Sequence, residues 1–114
     1  MANLSDEIVT TVFNLQRQLW KLINEVASAE WMILEQYGET QTTIPPLDQL
    51  QSGRERLRAS YSRLYTIMLR VGESQPITDS ATLNSLLETI ERSQATIPAI
   101  EASVQEAKRD LNLP

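Results

Sequence analysis

Cysteine and histidine are both absent from this 114-residue chain, and the two absences narrow its chemistry at once. Without thiols there is no disulfide framework, no thiol nucleophile and no thiolate metal site. Without imidazole the chain lacks the commonest general base at neutral pH and the commonest metal ligand. Glycine occurs only three times and aromatic residues make up 5%. Long helices tolerate that composition, whereas an all-β fold needs more turn-forming residues. No apolar run approaches the ~20 residues that span a bilayer. Residues 1–7 show neither a basic n-region nor an apolar h-region, so a soluble, intracellular (cytoplasmic) protein is expected.

Positive charge is also in short supply. Ten basic against fifteen acidic residues give a net charge of −5 and a pI near 4.7. General nucleic-acid binding draws most of its affinity from a basic balance, and docking on an anionic membrane does the same. Neither is expected here. A glycine-rich phosphate loop and a Gly-x-Ser-x-Gly elbow are both missing. Carboxylate pairs such as Glu88 with Glu91 and Glu101 with Glu106 occur without the histidines that accompany them in di-iron bundles. No catalytic residue, cofactor site or metal site is therefore assigned.

What the chain does have is a seven-residue apolar register. Ile8, Val12, Leu15, Leu19, Leu22, Val26, Ala29 and Ile33 follow at alternating steps of four and three, which keeps all of them on one stripe of an α-helix. Ser5 is placed to cap that helix, Asp6 and Glu7 suit its positive end, and Gly38 suits a left-handed stop, giving a helix over residues 6–37. Pro45-Pro46 disfavours helix and biases Ile44 towards extended geometry, so a second helix is expected over residues 48–71. Asp48 and Gln51 would form its capping box, and Gly72 would close it. A third, capped by Asp79 or Ser80, spans residues 79–112.

Pro98 falls inside the third segment, where it removes a backbone hydrogen bond and crowds the preceding turn. The register Leu83, Leu86, Ile90, Ser93, Ile97, Ile100, Val104, Ala107, Leu111 keeps its phase across Pro98, which favours a kink over a split into two helices. The expected architecture is all-α: one domain over residues 1–114, an elongated antiparallel three-helix bundle with coiled-coil-like packing.

The first helix carries more apolar surface than two neighbours require. Its apolar arc of about 200° exceeds the ~100° stripe of a core-facing helix. The surplus lies along one edge holding Val9, Phe13, Trp20, Ala27, Trp31 and Leu34, including both tryptophans and the single phenylalanine. Either that edge packs inside the bundle, or it meets another chain, where aromatics supply interface hot spots, or it lines a cofactor or ligand groove. Glu30 also falls inside the arc and needs either a partner, for which an arginine of the second helix is the natural choice, or access to water.

Five of the ten basic residues are arginines at 54, 56, 58, 63 and 70. Against Asp48 and Glu55 they leave residues 48–71 at +3 and the rest of the chain at −8. Arg56, Arg63 and Arg70 recur every seven residues beside the seam. Charges so placed point first to inter-helix ion pairs; the other reading is an anion-binding stripe. Three arginines are too few for strong nucleic-acid binding, and Tyr61 and Tyr65 are expected to turn towards the seam, not to stack bases on that stripe.

The sequence thus leads to a non-enzymatic helical-bundle module for protein–protein interaction, a homo-oligomer or a small subunit of a larger assembly. Its partner interface would be Phe13, Trp20, Trp31 and Leu34. The alternative is a small regulator that binds an anionic ligand or nucleic acid along Arg56, Arg63 and Arg70.

Overall fold

The computed structural model describes residues 4–114; residues 1–3, part of the stretch inspected for an export signal, lie outside the described residues. Three helices follow in order: α1 (Asp6–Gln36), α2 (Ile44–Glu73) and α3 (Ser80–Asp110). Their ends form where local hydrogen bonding dictates. At the start of α1 the Ser5 hydroxyl accepts the Ile8 N–H at 3.3 Å, with Asp6 and Glu7 in the first turn. At its end Gly38, at φ +68°, donates its N–H to the Leu34 carbonyl at 3.0 Å, a left-handed cap that needs no Cβ there. Asp79 caps α3 by accepting from the Thr82 N–H at 3.1 Å and the Thr82 hydroxyl at 2.8 Å. A Schellman closure ends α3: Asn112 has φ 53°, and the Leu113 N–H reaches the Lys108 carbonyl at 2.8 Å.

The second helix is longer than its sequence suggests. It begins at Ile44, with Pro45 and Pro46 inside its first turn and not in the loop. First-turn amides have no intrahelical acceptor, so the missing N–H groups cost nothing there. Thr43 fixes the entry: almost fully buried, its hydroxyl donates to the Gly38 carbonyl at 2.7 Å and accepts the Thr40 N–H at 2.8 Å. Gly72 does not close α2 either. The helix runs on to Glu73, and Ser74 ends it in extended geometry with its hydroxyl on the Arg70 carbonyl at 2.7 Å. The Gln75–Pro76 bond in the following turn is cis.

Pro98 neither splits α3 nor ends it; one helix runs through it to Asp110, two residues short of the expected limit. Pro98 and Gln94, whose carbonyl loses its N–H donor, are both exposed, so water can donate to the freed carbonyl. Packing on either side of Pro98 holds the two halves in one register.

The helices are 31, 30 and 31 residues long and pack into a rod of 56 × 20 × 18 Å. Its radius of gyration is 17.2 Å, well above the ~13 Å of a compact domain of this size. Glu30 meets Arg54 while Phe13 and Trp20 lie beside Tyr61, and Gln49 meets Ser103 while Arg63 meets Thr89, so α2 runs antiparallel to both neighbours. The Tyr37 hydroxyl donates to the Leu111 carbonyl at 2.7 Å, tying the ends of α1 and α3 together.

Seven of the eight seam residues of α1, from Val12 to Ile33, are buried, and Ile8 is partly so. They meet Leu50, Leu57, Leu64, Ile67 and Val71 of α2 and Leu86, Ile90, Ile100, Val104 and Ala107 of α3. Each fully buried Leu or Ile contributes about 1.5–3 kcal/mol relative to exposure. Small residues set how closely α2 and α3 approach. A Cβ on Gly53 would lie 3.1 Å from Ile100 Cδ1, so glycine is what admits that isoleucine.

Ser93 occupies a core position of α3 with no exposed surface, and its hydroxyl has no hydrogen-bond partner. A buried unmade hydrogen bond costs about 1–3 kcal/mol, and alanine is the better helix former. Ser93→Ala is therefore expected to stabilise the protein by about 1 kcal/mol, raising Tm by roughly 4 °C. A lower Tm in thermal denaturation would contradict it.

Acid should act on the α3 cap. The Thr82 hydroxyl and N–H favour the charged carboxylate of Asp79 and hold it below its usual range. The cap's contribution is thus complete above the ordinary carboxylate pKa of about 4 and fades as pH falls through the lower folded value. Asp79→Asn keeps an acceptor but cannot titrate. The Tm advantage of the wild type over this variant should shrink between pH 7 and pH 3; an unchanged gap would rule the mechanism out.

Candidate functional site

The aromatic edge of α1 faces outward. Phe13, Trp20, Trp31 and Leu34 are 58, 60, 64 and 44% exposed, while the seam residues beside them are closed off. The cause is rotational: at 100° per residue the edge sits about 120° around the helix from the centre of the seam. The internal-packing reading of this edge does not hold, because α2 meets α1 nearer the seam and leaves the edge uncovered.

Residues of α2 extend this apolar face. Tyr61 is half-buried against the core, whereas Tyr65 is 55% exposed and does not turn into the seam as expected. Phe13, Trp20 and Tyr61 line a shallow hollow of about 450 Å³ together with Arg17 and Lys21. Towards the other end of the same face, Leu34, Ile44 and Leu47 line a hollow of about 320 Å³ with Glu30, Glu39 and Asp48. The face is therefore bipolar, cationic near the start of α1 and anionic near its end.

Glu30 finds the partner its position required. Arg54 Nε donates to Glu30 Oε1 at 2.7 Å and Nη2 donates to Oε2 at 3.3 Å, a two-pronged fork between α1 and α2. The hydrogen bond to Glu30 raises the Arg54 pKa above its ordinary value.

The other arginines behave differently. Among the described residues the ion pairs within 4 Å are Arg54–Glu30 and the exposed Arg109–Asp110. Arg56, Arg63 and Arg70 enter none, so the expected flank of inter-helix ion pairs is not formed. Beside Arg56 and Arg63, α3 presents Thr89, Arg92 and Thr96 and no carboxylate. Arg56 and Arg63 line an open groove of about 580 Å³ between α2 and α3, joined there by Arg92 of α3. Arg70 lies outside its lining. Arg63 Nε donates to the Thr89 hydroxyl at 3.3 Å, and that hydroxyl donates to the Ser85 carbonyl at 2.7 Å.

Arg92 is the residue that the arginine spacing alone misses, since it sits on a different helix from the stripe. The signal for it was the hydroxyl period Thr82, Thr89, Thr96, Ser103, which marks the face of α3 turned to α2.

Among the described residues, no group of three Asp or Glu side chains gathers as a metal-binding set, and no helix is long and apolar enough to cross a membrane. No protein-family model, curated protein or solved structure matches this chain.

Proposed function

We propose that this protein is a non-enzymatic interaction module and that its α1–α2 face receives a second copy of the same chain. The observation that carries the reading is the exposure of Phe13, Trp20 and Trp31 in a row along one edge. Large exposed apolar patches mark interaction sites in folded proteins, and tryptophan dominates interface energetics.

Charge pattern favours self-pairing over an unrelated partner. Along the outer flank of α1 run Arg17 and Lys21, then the small residues Asn24, Ala27 and Ser28, then Trp31 and Glu35. An antiparallel pairing of two α1 helices about residue 26 sets Arg17 opposite Glu35 and Lys21 opposite Trp31. The first is an ion pair, the second a cation–π contact, and small residues occupy the crossing. The same two-fold axis sets the cationic hollow of each copy towards the anionic hollow of the other, so the face is self-complementary.

Absolute mass by light scattering, measured across concentrations, tests this. Twice the monomer mass of 12.9 kDa is expected. Trp20→Gln combined with Trp31→Gln should give a monomer with its helicity and Tm retained. Arg17→Glu should weaken association roughly tenfold, and adding Glu35→Arg to the same chain should restore it. A monomeric wild type alongside a stable double tryptophan variant would refute the second copy and leave the face to a different protein. A double variant that unfolds would refute the face itself.

A further inference from the structure

We infer that the α2–α3 groove is a separate site, on another face of the rod, for a compact anion carrying two or more phosphoryl groups. Small residues make the space. The seam of α2 reads Leu50, Gly53, Leu57, Ser60, Leu64, Ile67, Val71, so Ser60 stands where a leucine would fill the gap. Thr89 and Thr96 face it from α3, both buried. The resulting hollow of about 580 Å³ lies within the ~300–1,000 Å³ range of small-molecule sites.

Its walls are cationic without compensation. Arg56, Arg63 and Arg92 line the groove, no carboxylate does, and none of the three enters an ion pair among the described residues. In a chain of net charge −5 these guanidinium groups have fifteen carboxylates to choose from and meet none of them. Arg63 is positioned by Thr89 through its Nε, which leaves both Nη groups free. Thr89 and Thr96 donate to the Ser85 and Arg92 carbonyls at 2.7 and 2.9 Å. Their hydroxyl protons are spent, so the donors that remain in the groove are the arginine guanidinium groups and the hydroxyls of Ser60, Ser62 and Thr66.

Guanidinium forks match the paired oxygens of phosphoryl groups, and three of them drawn from two helices suit more than one such group. No aromatic side chain lines the groove, so nothing there stacks a base. The site therefore reads phosphoryl groups and not a nucleobase, and the acidic remainder of the chain disfavours a long polyanion.

Calorimetric titration at low ionic strength with orthophosphate, pyrophosphate and tripolyphosphate tests the assignment. Affinity should rise along that series and fall with added salt. Arg63→Gln and Arg92→Gln should each weaken tripolyphosphate binding about tenfold, the effect of one lost charge-assisted hydrogen bond. Arg58→Gln, outside the groove, should leave it unchanged, and ADP should bind like pyrophosphate. Ser60→Leu should fill the hollow and abolish binding while circular dichroism reports an intact fold. Absence of binding by the wild type would overturn the inference, as would equal losses in the Arg58 and Arg63 variants. A single-stranded oligonucleotide that binds more tightly than tripolyphosphate would overturn it in favour of a nucleic-acid site.

Discussion

Everything in this molecule hangs on the apolar seam of α1. Val12, Leu15, Leu19, Leu22, Val26, Ala29 and Ile33 form one unbroken buried stripe, which closes the core that α2 and α3 build with it. A stripe of that kind holds helices side by side over their full length, which is why the molecule is 56 Å long and not spherical. The geometry also sets a limit. A thin rod buries a smaller share of its surface than a globule of the same mass, so each helix keeps flanks that its neighbours do not cover. The chemistry placed on those flanks is available to something else.

How far the sequence discloses this varies along the chain. The α1 seam was legible because its period is strict and both ends carry unambiguous caps, Ser5 and Gly38. The ends of α2 were not. Pro45-Pro46 reads as a barrier when it is taken as helix interior, yet the first turn needs no amide donors, and Thr43 supplies the anchoring that lets the helix start early. Gly72 carries the residue type of a stop without the conformation of one, since Ser74 does the closing. The aromatic edge could be located by angle but its exposure could not, because exposure depends on where α2 comes to rest. Tyr65 shows the same dependence: a flank position only about 100° from the seam centre turned outward.

Arg54 and Arg56 show how finely position decides the role of a charge. Two residues apart on one helix, they project about 200° apart. Arg54 reaches across to Glu30 on α1, while Arg56 stands over the α2–α3 groove with no acid in reach. Composition makes α2 the basic helix, but the rotation of each residue determines whether its charge is consumed inside the bundle or left at the surface. Residue type is thus a poor guide to the surroundings of a charge here, and helical phase is a good one.

Stability and recognition are separable in such a fold. Exposed ion pairs contribute about 0–1 kcal/mol, so leaving Arg56, Arg63 and Arg92 unpaired costs the bundle little. Exposed tryptophans contribute correspondingly little to holding three helices whose core is aliphatic. Folding therefore does not require Trp20 and Trp31 at the surface of α1, nor three arginines around one hollow. Solubility argues against the tryptophans, since exposed apolar patches promote association. Features that the fold does not need, and that solution behaviour disfavours when left bare, are what motivate the two proposals. On the α1–α2 face the cover we propose is a second copy, apolar and bipolar in kind; in the α2–α3 groove it is a compact anion. The two demands do not compete, because α2 presents Tyr61 and Tyr65 on one flank and Arg56 and Arg63 on the other, with its leucine seam between them.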